Sequence, residues 1–164
     1  MTYDFQRQKS LGQQGEERLD CFFSRWYDIR EVPFELQKEG VDRFYIPKRG
    51  QVTFPQLVEY KTDFRRTGNV FVETHSVIRS GRSNIQGWLY TSKADWLIYW
   101  AVEYQTAFAI NFDKLRKSAE IWKGTCRRRD CQNKGYKSSG LLVPIPVLKL
   151  VSHAVFTIEY ASNR

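Results

Sequence analysis

Long apolar runs are missing from this sequence, and cysteine is scarce. No stretch of about 18 consecutive apolar residues, the length that spans a bilayer, occurs in the chain. The opening residues MTYDFQRQKS lack the apolar core of a signal peptide. Three cysteines, Cys21, Cys126 and Cys131, are too few and too odd in number for a disulfide scaffold. These absences predict a soluble cytoplasmic protein with free thiols and no membrane association.

Several signatures of nucleotide-dependent and nucleophilic enzymes are also missing. The chain has no Walker glycine loop, no dinucleotide-binding fingerprint and no arrangement that supports a serine or cysteine triad. No repeat, low-complexity tract or linker divides it. The 164 residues are 41% hydrophobic and 15% aromatic. They therefore predict a single domain over residues 1–164 with a sizeable core.

Negative charge is in short supply. Eighteen Asp and Glu residues face 26 Lys and Arg residues, which gives a net charge of +8. Between Lys114 and Lys137, nine basic and two acidic residues account for +7 of it. A basic surface attracts polyanions and releases counterions from nucleic acid. The composition therefore makes nucleic acid the leading candidate partner.

The basic excess is densest in a segment predicted to be a loop at about 123–140. Its cations are close enough in sequence to reach several adjacent phosphates of a duplex. They are Arg127, Arg128, Arg129, Lys134 and Lys137. The alternative interpretation is a solvated loop without a dedicated partner.

Hydrophobic periodicity predicts a first helix from Leu11 to about Tyr27, because Leu19, Phe22, Phe23 and Trp26 share one face. FDKLRKSAEIW predicts a second helix. Between them, four short β-rich pieces predict an antiparallel meander: DIREVPFEL, VDRFYIPKR, VTFPQLVEYKTD and GNVFVETHSV.

The later part of the chain predicts further strands. WLIYWAV and TAFAINF have strand composition, and LLVPIPVLKL and AVFTIEY are expected as extended closing pieces. Pro144 and Pro146 favour an edge or bent strand there. Ser92 and Asp95 have the spacing of a capping box that opens a short turn.

The stretch LVEYKTDF, residues 57–64, places two charged residues inside an apolar strand. Residues two apart on a strand point the same way, so Glu59 and Lys61 share a face while Val58 and Tyr60 pack on the other. Asp42 precedes Glu59 by enough residues for a strand, a turn and a return strand. The two carboxylates are therefore expected to meet across a hairpin.

Two such carboxylates suit Mg²⁺, which prefers oxygen ligands and keeps several waters. The backbone carbonyl of Tyr60 is expected to complete the ligand set with Asp42 and Glu59, and Lys61 to orient or deprotonate a metal-bound water. An isolated Glu-x-Lys has a simpler interpretation, a solvated ion pair on an exposed strand face.

The order of the acidic residues favours the metal site. GQQGEER contains Gly12, Gly15 and Glu16 at the start of the first amphipathic helix, EGVDRF contains Asp42, and the Glu-x-Lys follows. Glu on a helix, Asp on a strand and Glu-x-Lys on the next strand is the order of PD-(D/E)xK nucleases. The chain resembles that superfamily over roughly residues 12–112, particularly archaeal Holliday-junction resolvases and small phage or bacterial endonucleases.

This resemblance implies an α/β fold with a central mixed sheet flanked by helices, as in restriction endonucleases. It implies roles for Glu16 as the helix acid, Asp42 and Glu59 as metal ligands and Lys61 as the water-activating residue. Glu17 is the alternative helix acid, and Glu16 is preferred because its spacing places it on the core-facing side. One departure from the family pattern is Val41, which precedes Asp42 where the family name has proline.

GWLYTSKADWLIYW also resembles a segment that follows the catalytic strands of small phage nucleases. There Lys93 would contact the scissile phosphate or its neighbour; the alternative is a solvated lysine on a capped turn. Glu73, two residues before His75, is a candidate for a further ligand or its supporting partner, against the simpler interpretation of an exposed strand pair.

The sequence therefore predicts a Mg²⁺-dependent DNA endonuclease, with Mn²⁺ as a substitute metal. Duplex, nicked, branched and single-stranded DNA stay open as its substrate, as does RNA. Cutting both strands favours a symmetric homodimer. The alternative is a nucleic-acid-binding or partner-binding protein on the same fold whose acidic pocket no longer turns over substrate.

Overall fold

A computed structural model describes residues 5–48, 55–78, 84–133 and 136–160, with side chains from residue 10 onward. The helices are α1 Phe5–Phe23, α2 Phe34–Lys38, α3 Trp88–Thr91, α4 Phe112–Thr125 and α5 Ile145–Val151. The first strands are β1 Tyr27–Glu31, β2 Arg43–Pro47, β3 Gln56–Asp63, β4 Asn69–Ile78 and β5 Ile85–Gln86. The remaining strands are β6 Trp96–Ala101, β7 Thr106–Asn111, β8 Arg127–Asn133, β9 Tyr136–Pro144 and β10 Ala154–Thr157.

The main sheet is mixed. Within the described residues it has six strands in the order β1-β2-β3-β6-β7-β10. β3 and β6 pair in parallel, whereas their neighbours pair antiparallel. A parallel pair needs a crossover connection, and β4, β5 and α3 supply it. The predicted α/β class with a mixed sheet and flanking helices is confirmed.

The crossover and the later part of the chain build a second sheet. Its order over the described residues is β5-β4-β9-β8, with every pair antiparallel. The sequence predicted a meander of four strands, but β4 is not part of it. Only β1, β2 and β3 form that meander, because β3 takes β6 as its other neighbour.

Two apolar clusters hold these layers together. One lies between the main sheet and α1 and includes Leu19, Phe23 and Trp100. The other lies between the two sheets, where Trp122 of α4 and Val72 of β4 are buried. Both faces of the main sheet are thus covered, so a charged side chain on its central strands must be buried or reach a boundary of the core.

Two predicted local elements are corrected. LLVPIPVLKL ends in α5 instead of an edge strand, because Pro144 caps the helix and Pro146 lies in its first turn, where a missing N–H costs nothing. Ser92 follows α3 and ends it instead of opening a turn as an N-cap. Its hydroxyl accepts from the Ala94 N–H at 3.2 Å and donates to the Gly40 carbonyl at 2.9 Å.

The basic segment is not the loop expected at about 123–140. It comprises the end of α4, then β8 and the start of β9, which pair antiparallel at the edge of the second sheet. The side chains of β8 are mostly exposed and polar. The strand therefore lacks the apolar alternation from which a strand is predicted. Lys134 lies outside the described residues.

Candidate functional site

Strand β3 directs its charged and apolar residues to opposite faces of the main sheet. Val58 and Tyr60 are buried in the cluster beneath α1. Glu59 and Lys61 pair in register with Leu97 and with Tyr99 of β6, two residues buried in the cluster between the sheets. Glu59 and Lys61 therefore point toward the second sheet and α3.

Glu59 is a buried carboxylate. Its exposed fraction is 2%, and Lys61 is the cation that pairs with its Oε1 atom. The other oxygen, Oε2, is buried and has no hydrogen-bond partner among the described residues. Burial raises the pKa of Glu59, and the Lys61 charge together with the nearby Ser92 hydroxyl opposes this only in part. The pair is therefore not the solvated surface ion pair that an isolated Glu-x-Lys suggests.

Lys61 lies at the boundary between the core and solvent. Its side chain is 34% exposed, and its Nζ lies 5.8 Å from the ring centroid of Trp88 in α3. Burial lowers the pKa of Lys61, but the carboxylates of Glu59, Asp42 and Glu73 outweigh burial and raise it. Lys61 is thus a protonated donor at neutral pH in the metal-free chain, surrounded by three acidic residues.

Asp42 lies one residue before β2 and is fixed against β3 by its backbone and its side chain. Its N–H donates to the Val58 carbonyl at 2.8 Å, and its Oδ2 accepts from the Tyr60 N–H at 2.6 Å. Its negative charge raises the pKa of Glu59 on one side and of Glu16 on the other. Asp42 therefore lies beside the Tyr60 backbone, close enough to both other candidate acids for its charge to act on them.

Glu16 lies on α1 and takes part in an ion-pair cluster. Arg43 bonds to Glu16 at 3.2 Å and to Asp20 at 3.0 Å, and its side chain is only 14% exposed. Burial and the charge of Asp42 raise the pKa of Glu16, and Arg43 partly opposes them. Glu17 is exposed, which agrees with the preference for Glu16. The Cβ position of Gly15 lies 2.6 Å from Thr62 Oγ1, so glycine lets α1 approach β3 here.

Sequence analysis missed Asp20 and Arg43. Asp20 also accepts from the Tyr60 hydroxyl at 2.9 Å, and that hydroxyl lies 2.5 Å from the hydroxyl of Tyr45. The spacing of four residues between Glu16 and Asp20 places both on one helical face, and this was the available signal. The cluster ties α1 to the strands that carry Asp42 and Glu59.

The residues expected to bind nucleic acid are spread over two regions. Lys93 is exposed directly after Ser92, and its backbone N–H donates to the Glu39 carbonyl at 2.8 Å. On the second sheet, Arg127, Arg128 and Arg129 lie on β8 and Lys137 on β9, all exposed. The structure therefore does not bring Lys93 into one group with the arginines.

Gly87 sets the distance between α3 and β4. Its N–H donates to the Thr74 carbonyl at 2.9 Å, and a Cβ there would lie 2.5 Å from the Glu73 carbonyl oxygen. We expect Gly87→Ala to destabilise the protein by about 1–3 kcal/mol, because a backbone oxygen cannot move aside cheaply. The matched control is Gly12→Ala, where the Cβ meets nothing within 4 Å. Thermal denaturation should show a lower Tm for the first variant and an unchanged or higher Tm for the second.

The described residues contain no group of three or more His, Cys, Asp or Glu side chains placed to hold a metal ion. Two carboxylates with a backbone carbonyl and waters form a smaller set, of the kind that Mg²⁺ accepts. The unpartnered Oε2 of Glu59 suits a cation ligand, since a buried carboxylate oxygen without a donor is costly.

Comparison with known proteins assigns the chain to no family. No protein-family model, curated protein or solved structure matches the chain. Across the part of the chain that is described, no helix is long and apolar enough to cross a membrane. The functional conclusion therefore depends on the geometry around Asp42, Glu59 and Lys61.

Proposed function

We propose that this chain is a metal-dependent deoxyribonuclease of the PD-(D/E)xK type. The observation that carries the proposal is the buried Glu59 carboxylate, which offers one oxygen to Lys61, keeps the other unpartnered among the described residues, and lies within range of the Asp42 charge. A purely structural ion pair would gain little from leaving a buried oxygen without a donor. A cation-binding role accounts for that oxygen.

The order and placement of elements support the same proposal. Glu16 lies on α1, Asp42 directly before β2, and Glu59 and Lys61 on β3, which follows the helix, strand, strand order that the sequence resemblance implies. The mixed sheet with helices and the parallel β3–β6 pair suit a restriction-endonuclease-like arrangement.

Asp42, Glu59 and the Tyr60 carbonyl would hold Mg²⁺, or Mn²⁺ in its place. Such an ion polarises the scissile phosphate, lowers the pKa of a bound water and offsets negative charge in the transition state. The hydrogen bond from the Tyr60 N–H orients the Asp42 carboxylate before any ligand binds, and the bond from the Asp42 N–H to the Val58 carbonyl fixes its backbone, which reduces the cost of assembling the site.

Lys61, Glu16 and Arg43 would act by transferring protons or by positioning other side chains. Lys61, protonated in the metal-free chain, donates toward a phosphate oxygen or an attacking water, and a neighbouring divalent cation would lower its pKa toward the value of a base. Glu16, with its raised pKa, stands beside Asp42 as a second proton acceptor or donor. Arg43 holds Glu16 in that position.

The test is a cleavage panel on linear duplex, flap, four-way-junction and single-stranded DNA, with a single-stranded RNA, in Mg²⁺, Mn²⁺ and EDTA. We expect metal-dependent cleavage of at least one DNA and none in EDTA. Binding without cleavage under every condition would instead favour a binding protein on this fold. Sedimentation with and without duplex would test the homodimer that double-strand cutting favours.

A further inference from the structure

A cleft of about 470 Å³ lies between the second sheet and helices α3 and α4. It is lined by two aromatic rings and two cations: His75 of β4, Tyr90 of α3, Lys123 of α4 and Arg128 of β8. Its volume falls in the range of small-ligand sites, which hold about 300–1,000 Å³. A cleft of that size can take a nucleotide but not a duplex.

Arg128 can bind an anion on the face of the second sheet that lines the cleft. It pairs in register with Leu141, which is buried between the sheets, so Arg128 points to the same side. Its Nε donates to the hydroxyl of the fully buried Ser139 at 2.7 Å. No hydrogen bond among the described residues uses its two terminal nitrogens, which leaves a forked donor of the kind that phosphate accepts.

Strand alternation separates Arg128 from its two neighbours. Arg127 and Arg129 pair with Leu142 and Gly140, the positions on either side of Leu141, and point to the opposite face of the sheet. The three consecutive arginines therefore do not form one phosphate-binding row. One faces the cleft and two face away from it.

Lys123 and Tyr90 share one exposed partner, Glu120, to which the Tyr90 hydroxyl donates at 3.1 Å. Lys123 pairs with the exposed Glu120 at 2.8 Å, and its Nζ lies 5.3 Å from the Tyr90 ring centroid. The Nε of Arg128 lies 3.7 Å from Asp130, beyond hydrogen-bond distance. Exposed pairs of this kind contribute little stability, so a phosphate can replace the carboxylates at small cost.

The cleft adjoins the candidate nuclease site through two short pieces of chain. On β4, Glu73 lies near Lys61 and His75 lines the cleft two residues later. On α3, Trp88 contacts Lys61 and Tyr90 lines the cleft, again two residues later. A nucleic-acid strand leaving the site along α3 would reach the cleft directly.

We infer that this cleft binds one unpaired nucleotide of the DNA strand that occupies the Asp42, Glu59 and Lys61 site. Arg128 and Lys123 hold its phosphate, and the base packs against Tyr90 and His75, since aromatic rings accept any base by stacking. This inference rests on the proposed nuclease function for its substrate. It favours single-stranded or branched DNA over continuous duplex.

The experiment compares two neighbouring arginines. Arg128→Ala and Arg129→Ala remove the same charge from adjacent positions on opposite faces of β8. Binding of a 12-nucleotide single strand, (dT)₁₂, and of a 12-base-pair duplex is measured by fluorescence anisotropy without divalent metal. We expect Arg128→Ala to weaken (dT)₁₂ binding about tenfold and duplex binding less than about threefold. Arg129→Ala should weaken both probes alike and by less than about threefold.

Variants of Tyr90 test the proposed contact with the base independently. Tyr90→Phe should keep the affinity for (dT)₁₂ near that of the wild type, whereas Tyr90→Leu should lower it about tenfold, because only the latter loses the ring. Equal effects of the two arginine variants on both probes would overturn the inference, as would unchanged (dT)₁₂ binding in Arg128→Ala.

Failure of this inference is distinguishable from failure of the nuclease proposal. Wild-type protein that cleaves DNA, with (dT)₁₂ binding insensitive to Arg128, refutes the cleft and leaves the nuclease. Wild-type protein that cleaves nothing in the panel, with (dT)₁₂ binding dependent on Arg128, refutes the nuclease and leaves a single-strand binding cleft.

Discussion

Asp42→Asn and Glu59→Gln are each expected to abolish DNA cleavage while leaving a folded protein that binds DNA. Both substitutions keep the shape of the side chain and remove the charge that would hold Mg²⁺. Loss of metal assistance removes several kcal/mol of transition-state stabilisation, which corresponds to a rate reduction of about a thousandfold or more. Single-turnover cleavage of the best substrate from the panel is the measurement.

DNA affinity should stay the same or rise in both variants. Each removes negative charge from a site that would face phosphates, so electrostatic repulsion toward DNA falls. Glu17→Gln is the matched control, because Glu17 is an exposed acid on α1 beside Glu16. It should cleave at the wild-type rate. Wild-type-like turnover in Asp42→Asn or in Glu59→Gln would refute the metal-ligand assignment.

Lys61→Met is the second variant with a large expected effect. It should slow single-turnover cleavage about 10²- to 10⁴-fold at saturating Mg²⁺, as expected for loss of a positioned proton donor or acceptor. Methionine keeps the apolar length of the side chain against Trp88 and loses the charged end that pairs with Glu59. The Mg²⁺ concentration for half-maximal rate should change little, since Lys61 is not a ligand.

The exposed Lys149 of α5 is the control for Lys61, because Lys149→Met removes the same charge and should cleave normally. Circular dichroism should show that both variants are folded. A large rise in the Mg²⁺ requirement of Lys61→Met would assign Lys61 to organising the carboxylates instead of acting on the substrate or water. The nuclease proposal would survive that result, but the role given to Lys61 would not.

Periodic segments of the sequence were sufficient to predict several elements. The apolar spacing around Leu19 and Phe23 predicted α1, but with an end near Tyr27, whereas the helix ends at Phe23 and Tyr27 begins β1. FDKLRKSAEIW predicted α4. Alternation along β3 predicted that Glu59 and Lys61 share a face opposite Val58 and Tyr60, and the structure places them so. These predictions succeed because side-chain direction follows directly from local backbone geometry.

Other features depended on distant parts of the chain. The β8 strand has no apolar alternation, and it forms because β9 offers a paired edge. β4 joins the second sheet because the parallel β6 occupies the free edge of β3. No local pattern contains that choice of neighbour, since strand pairing is decided by which edges are available after packing.

The sequence by itself determined the order of the candidate residues on which the proposed chemistry depends: Glu16, then Asp42, then Glu59 with Lys61 two residues later. Only the tertiary structure decided that Glu59 is buried with one unpartnered oxygen, and that Arg128 faces a cleft while Arg127 and Arg129 face away from it. The physical reason is that spacing along a strand sets side-chain direction, whereas burial and unsatisfied hydrogen bonds depend on the layer that packs against it.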